Sequence, residues 1–281
     1  MDWETQSDTI HIDHTELHEH CLNDQQQSAK FSPVALVGKL IFQDTWTRGL
    51  AWDELLPPDI AVKWLSWTSE LHLLSEMHVP RWTGAHKQNL QDCEVDVSGD
   101  ASERAYGTVI YLKSITDDAV AVRLICSKAR LVPIKMVTLP RLQLLAALVA
   151  TRLLRYFCHA TECDISKATL WSDSAIALAW IRGDPNRWKT FVCNCVTEIL
   201  EYTAQSQWRH CPGSENPADI LSRGLHANDL ATCTTWWNGP VWLPDYIHNW
   251  PRDIHIDHAS IPEKRNMPRQ ALTVSTRAPL L

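Results

Sequence analysis

Apolar positions recur at two different periods along this chain, and the change from one to the other divides it into regions. Val34, Val37 and Ile41, with Leu36 and Leu40, fall at helical spacing. They predict a helix from Pro33 to Trp46, with the proline in the first turn, where its missing N–H is not needed. Ile60, Trp64, Trp67 and Leu71 predict a second helix from Pro58 to about Leu74, and the two together predict a helical platform against the next domain. Ahead of them, Thr9-Ile-His-Ile12 alternates briefly, and the polar stretch through Gln25-Gln-Gln27 reads as loop. From residue 93 strand and helix patterns alternate, as in an α/β domain. Glu94–Asp100 and Ala105–Leu112 read as hairpin strands around Ser102-Glu-Arg104, and Val120–Ser127 as a third, all rich in Val and Ile. Leu142, Leu145, Ala146, Val149, Leu153 and Tyr156 predict a long helix over Leu139–Phe157. A strand at Ala168–Trp171, helices at Ser174–Ile181 and Arg187–Tyr202, a strand at Trp208–Cys211 and a helix at Pro217–Ser222 complete the pattern. Asn216 is the candidate cap of that last helix.

The expected organisation is a poorly ordered segment over residues 1–30, a helical connection over 31–92, an α/β domain over 93–224, and a Trp- and Pro-bearing extension over 225–281. Beyond about Pro251 that extension loses its pattern and is expected to be disordered. At 281 residues and 45% hydrophobic content, the chain can bury one good core and a second small unit.

The net charge of −7 argues mildly against nucleic acid as a partner. Its distribution reverses that impression, because residues 1–80 hold 4 basic and 13 acidic side chains whereas residues 81–224 hold 17 and 15. Nine cysteines form an odd set without framework spacing, which points to a reducing compartment. The acidic start Met1-Asp-Trp-Glu4 has no apolar signal region, and the longest apolar run, Leu144–Ala150, is too short to span a bilayer. A soluble chain of the cytosol or nucleus, with no membrane partner, is expected.

Four polar islands, each beside an apolar segment, carry the candidate chemistry. They are Asp100-Ala-Ser102, Arg141-Leu-Gln143-Leu144, Trp171-Ser-Asp173-Ser174 and Asn216-Pro-Ala-Asp219. Carboxylates brought by separate elements to one point suit two-metal phosphodiester chemistry, since hard Mg²⁺ or Mn²⁺ takes oxygen ligands and a pair of ions clamps the attacking and leaving oxygens. Each acid also has a plainer reading. Asp100 precedes a turn, Asp173 stands where a helix N-cap is expected, and Asp219 sits in a first turn that favours a carboxylate through the helix dipole.

The order of these phrases resembles the ribonuclease H-like domain of BEL/Pao-type retrotransposon polyproteins. Asp100-Ala-Ser-Glu-Arg-Ala-Tyr-Gly107, Thr138-Leu-Pro-Arg-Leu-Gln-Leu144 and Trp171-Ser-Asp-Ser174 are similar to its first-strand, first-helix and fourth-strand motifs. Arg187-Trp-Lys-Thr-Phe191, Trp208-Arg-His-Cys-Pro-Gly213 and Asn216-Pro-Ala-Asp-Ile-Leu-Ser-Arg-Gly224 continue the likeness in order. Phe31-Ser-Pro-Val34, Trp52-Asp-Glu54 and Val79-Pro-Arg81 resemble the segment joining polymerase to nuclease. The resemblance implies a ribonuclease H-like fold, a mixed five-stranded sheet flanked by helices and preceded by a small helical segment. It implies metal-dependent hydrolysis of RNA in an RNA–DNA hybrid, with Asp100, Gln143, Asp173 and Asp219 at the four metal-binding acidic positions and a reverse transcriptase domain as a partner. No Tyr-x-Asp-Asp motif occurs, so the chain is expected to be a polyprotein fragment, or a host gene derived from one, without the polymerase core.

Gln143 departs from the pattern, because the second of those positions is normally Glu. An amide keeps a neutral carbonyl oxygen but supplies no charge, so the two-ion site is expected to bind metal more weakly and to turn over more weakly still. Two functions stay open: an impaired ribonuclease H using Mg²⁺ or Mn²⁺ held by Asp100, Asp173 and Asp219, and a catalytically silent nucleic-acid-binding or structural remnant. For binding, Arg187-Trp188-Lys189 sets two cations around an aromatic at an expected helix start, suited to phosphate contact and stacking unless Trp188 is core. Lys128 and Arg130, with Lys135, lie between the third strand and the long helix and could flank the same cleft. His210 reads as structural. The His11–Cys21 cluster and Cys193-Asn-Cys195 lack zinc spacing. Asp96-Val-Ser-Gly99 leaves a retroelement aspartic peptidase as a minor alternative, with Val97 disrupting the required turn.

Overall fold

The alternating Val and Ile positions place a layer of helices on each face of one sheet. The computed structural model describes residues 2–4, 9–11, 30–77, 79–80, 93–115, 120–257 and 260–265. A small antiparallel sheet joins β1 (Asp2–Glu4), β2 (Thr9–His11) and β3 (Val79–Pro80). The main sheet contains β4 (Glu94–Ala101), β5 (Ala105–Ile115), β6 (Val120–Leu131), β7 (Thr169–Ser172) and β8 (Trp208–His210), in the order β6-β5-β4-β7-β8. β5 runs antiparallel to both β4 and β6, whereas β7 pairs parallel with both β4 and β8. This is the mixed five-stranded sheet that the resemblance implies. A register shift at Ile110/Tyr111 leaves Ile125 on β6 without an opposite residue, a bulge that lets these long strands twist.

Because side chains alternate across a strand, β4 serves two cores. Val95 and Val97 face α4 (Leu139–Thr161), α5 (Ala175–Arg182) and α6 (Thr190–Tyr202), where Leu144, Leu154, Trp180, Val196 and Trp208 are buried. The opposite face meets α1 (Ser32–Thr47), α2 (Pro58–Ser69), α3 (Leu73–Glu76), α7 (Pro217–Arg223), α8 (Ala227–Thr232) and α9 (Thr234–Asn238). Here Phe31, Val34 and Trp67 of the connection segment share one core with Tyr111, Trp171, Leu221 and Trp236. Trp67 donates its indole N–H to Val34 O at 2.9 Å and presses on Gly38, where a Cβ would stand 2.7 Å from its ring. The connection is therefore packed into the α/β domain, and the boundary expected at residue 92 is not a boundary between cores.

Several expectations are corrected. The second helix stops at Ser69, because Thr68 and Ser69 turn their hydroxyls back onto carbonyls of the preceding turn, and a separate short α3 comes after it. Residues 185–187 form a 3₁₀ turn, so α6 starts at Thr190 and not at Arg187. Residues 2–4 and 9–11 of the segment expected to be poorly ordered form the strands β1 and β2, whereas the His14–Cys21 part of the histidine cluster lies outside the described residues. Residues 260–265, beyond Pro251, are also held: Ile261 is 7% exposed in the core, Trp180 donates to Pro262 O at 3.1 Å, and Trp188 bridges to Lys264. Cys193 and Cys195 lie on α6, none of the eight described cysteines is in a disulfide, and no described helix is long and apolar enough to cross a membrane.

Asp96 is buried in mid-strand at 1% exposure, with a strand paired on both sides, so the turn that an aspartic peptidase needs is absent at Asp96–Gly99. Trp171 donates its indole N–H to Asp96 Oδ1 at 2.9 Å, and Oδ2 has no partner. Burial pushes the Asp96 carboxyl up to about 7, and Glu94 adds to this, while the Trp171 hydrogen bond, Lys113 and Arg209 oppose it.

This packing generates two testable outcomes. Trp67→Ala should cost roughly 3–5 kcal/mol and lower the midpoint of a single cooperative urea transition, and a separate early transition for the connection would refute the shared core. An acid with a raised folded pKa stabilises most below its unfolded value, near 3.8, and loses that contribution as pH rises through about 7. Asp96→Asn should therefore be more stable than the parent at pH 8, with the gap closing toward pH 4 in urea titrations at both pH values.

Candidate active site at the carboxyl ends of the central strands

β4 and β7 run parallel and end side by side, so Asp100 near the end of one and Asp173 just beyond the other reach the same edge of the sheet. Asp173 is not the helix cap its position suggests. Ser174 fills that role, its Oγ accepting from Ala177 N at 3.2 Å, which leaves the Asp173 carboxylate to the cleft. α4 begins at Leu139-Pro140, and its second turn carries Gln143 to Asp100. α7 is capped by Asn216, whose Oδ1 accepts from Ala218 N at 3.1 Å while its Nδ2 donates to Gly99 O at 3.1 Å. That contact ties the helix bearing Asp219 to the strand bearing Asp100. The close approach of α7 requires Gly107, the register partner of Asp100, because a Cβ there would stand 2.8 Å from Leu221 Cδ2 and 2.7 Å from Lys128 O. Gly224, at φ +81°, then ends α7 in a conformation that side-chain-bearing residues rarely adopt.

All four sequence-predicted residues, Asp100, Gln143, Asp173 and Asp219, line one cleft of about 670 Å³, together with Ser222 and Arg223. Asp100 is 3% exposed and Gln143 8%. Gln143 Nε2 donates to Asp100 Oδ1 at 2.9 Å and to Ala101 O at 3.1 Å, and the Ser222 hydroxyl donates to Asp100 Oδ2. Arg223 Nε donates to Asp219 Oδ1 at 2.6 Å, one helical turn away. Burial first, and then the charges of Asp100 and Asp219, push the Asp173 carboxyl up to about 7. Asp173 Oδ1 and Gln143 Oε1 are buried without a partner.

Ser222 and Arg223 have no role that sequence motifs assign, although their spacing is legible. On a helix beginning at Pro217 they stand three and four residues past Asp219, on the same face. None of the five candidate nucleic-acid residues lines this cleft. Trp188 is 1% exposed and donates to Trp180 O at 3.1 Å, so it is core and offers no stacking face. Arg187 and Lys189 are exposed beside it, with Lys189 Nζ 3.9 Å from Glu263 Oε2. Lys128 and Arg130 lie on β6, the strand at one edge of the sheet, and both are exposed. His210 on β8 is half-buried and does not line the cleft, and burial holds its imidazole below the usual range.

The chain matches the family described as Pao retrotransposon-like RNaseH-like domain over residues 27–174. It belongs to that family. The fold is accordingly a ribonuclease H-like α/β fold. Among solved structures it is similar to ribonuclease H1 from the halophilic archaeon Halobacterium salinarum NRC-1, at 15% identity and a TM-score of 0.27, covering 46% of this chain and 92% of that one. A comparison with curated proteins finds no match.

Ribonuclease H-like domains generally work with divalent metal, and the residues of this Pao-family cleft do not fit a two-ion centre. Such a centre needs anionic oxygens turned toward the ions. Here both oxygens of Asp100 accept hydrogen bonds and Asp219 is paired with Arg223. Among the described residues no three acidic, histidine or cysteine side chains stand close enough together to hold an ion. The amide of Gln143 supplies protons at the point where a glutamate would supply charge.

Gln143→Glu should turn the donor on Asp100 into a second buried acceptor. Without divalent ions that variant should lose about 2 kcal/mol, roughly 4–8 °C in melting temperature at this chain length. Millimolar Mn²⁺ should restore it while leaving the parent's melting temperature unchanged, and a parent protein equally stabilised by Mn²⁺ would contradict the misfit.

Proposed function

We propose that this chain is a retroelement ribonuclease H-like domain that holds an RNA–DNA hybrid across its cleft, and that its hydrolysis of the RNA strand is disabled by Gln143. The observation that carries this reading is the hydrogen bond from Gln143 Nε2 to Asp100 Oδ1 at 2.9 Å. It ties up one oxygen of an acid on which the family chemistry depends. The family assignment supports nucleic acid as the substrate class, and the nearly balanced charge of residues 81–224 is compatible with phosphate contact. Lys128, Arg130, Arg187 and Lys189 remain the proposed backbone contacts, and a reverse transcriptase domain the proposed partner.

A second reading, a slow enzyme with a weakened Mg²⁺ or Mn²⁺ site, is favoured by one observation. Asp173 Oδ1 and Gln143 Oε1 are buried oxygens without partners on the wall of the cleft. Cleavage of a labelled RNA–DNA hybrid in Mg²⁺ and in Mn²⁺ separates the two. The parent should leave the RNA intact and Gln143→Glu should cleave it, at least about 100-fold faster, as expected when an electrostatic contribution of that size is restored. Cleavage by both forms establishes the slow enzyme. Cleavage by neither, with no binding of the hybrid, overturns the nucleic-acid reading.

A further inference from the structure

A second groove, of about 620 Å³, opens between α1 and the end of β6. It is continuous in the chain with the acidic cleft: Leu40 and Arg104 line the cleft, while Lys39 and Tyr106, close to them in sequence, line the groove. Arg104 lies at this junction, donating to Leu40 O at 3.2 Å and to Asp44. Two features set the groove apart. Its charged lining residues are both cations, Lys39 and Arg130, in a chain of net charge −7. Its aromatic side is exposed: Trp46 is 70% accessible, and it stands with Phe42 between this groove and a further hollow of about 440 Å³. An indole of that size left in water beside two cations has the composition of a stacking platform for an unpaired base, with the cations on its phosphates.

We propose that this groove binds a single strand of nucleic acid that runs on from the duplex held in the cleft, with a base stacked on Trp46 and phosphates against Lys39 and Arg130. The inference rests on the hybrid-binding reading and extends it, by naming the form of substrate for which the chain has more affinity. Stacking on a free indole requires a base that is not already stacked inside a duplex, so a blunt hybrid cannot use the site and an overhang can. An apolar protein surface is less well matched, because the exposed Arg130 would lose hydration without acquiring an anion.

The test compares the full chain binding a fluorescent RNA–DNA hybrid, blunt or carrying a single-stranded extension, by anisotropy at fixed salt. The extension should tighten binding about 10-fold, the scale of one stacked base. Trp46→Ala should abolish that gain while leaving the blunt hybrid within about two-fold, since an exposed indole contributes little to folding. Lys39→Ala should reduce the salt dependence of the extended substrate by about one phosphate contact and leave that of the blunt one unchanged. An extension that adds nothing, or a gain that survives Trp46→Ala, overturns the groove assignment. If the parent binds neither substrate, the hybrid-binding reading itself fails, and the groove with it.

Discussion

One hydrogen bond governs what this cleft can do. An ionised carboxylate only accepts, an amide both accepts and donates, and the direction of the bond between Gln143 and Asp100 is set by that asymmetry. With glutamate at 143, two negative groups would face each other in a buried cleft, and the arrangement would be stable only with cations between them. With glutamine the pair is satisfied internally. Ser222 completes the effect by donating to the other oxygen of Asp100, and Arg223 does the same for Asp219. Asp100, Gln143 and Asp219 thereby all find hydrogen-bond or ion-pair partners within the chain.

The scaffold that brings them together depends on close approaches. Gly107 admits Leu221, Leu221 brings α7 onto the sheet, and α7 carries Asp219, Ser222 and Arg223. Leu225 N donates to Pro33 O at 3.3 Å just past the end of α7 and joins that helix to α1, so the connection segment supports one wall of the cleft. This explains why the connection shares the core of the α/β domain. Without it, part of the core that holds Tyr111, Leu221 and Trp236 would be open to water.

The sheet and the long helices are legible in the sequence because their periods are regular over many residues. β4, β5, β6 and α4 each continue past the expected end, since the strand and helix ladders run on into residues such as Lys128–Leu131 and Cys158–Thr161, whose pattern alone is weak. The four residues of the cleft are legible through motif order. What the sequence cannot supply is the partner of each polar group. Nothing local distinguishes Trp188 as core from Trp188 as a stacking surface, and only the return of residues 260–265 across it, with Lys189 N donating to Glu263 O at 2.7 Å, decides the matter. Asp173 passes for a cap in the sequence for a similar reason, because Ser174 is an equally good cap one residue later.

Asp173 is the acid of the cleft whose Oδ1 is buried and receives no hydrogen bond from the residues around it. Buried beside Asp100 and Asp219, its carboxyl is pushed up to about 7, so near neutrality a proton relieves much of the remaining repulsion. A metal-binding cluster has to tolerate unbalanced charge in its empty state, which costs stability. In this chain the Asp100 carboxylate is hydrogen-bonded by an amide at 143 and a hydroxyl at 222, Asp219 is paired with the guanidinium at 223, and Asp173 readily takes a proton. The four positions thus share one cleft in which most of the polar groups find their partners within the chain.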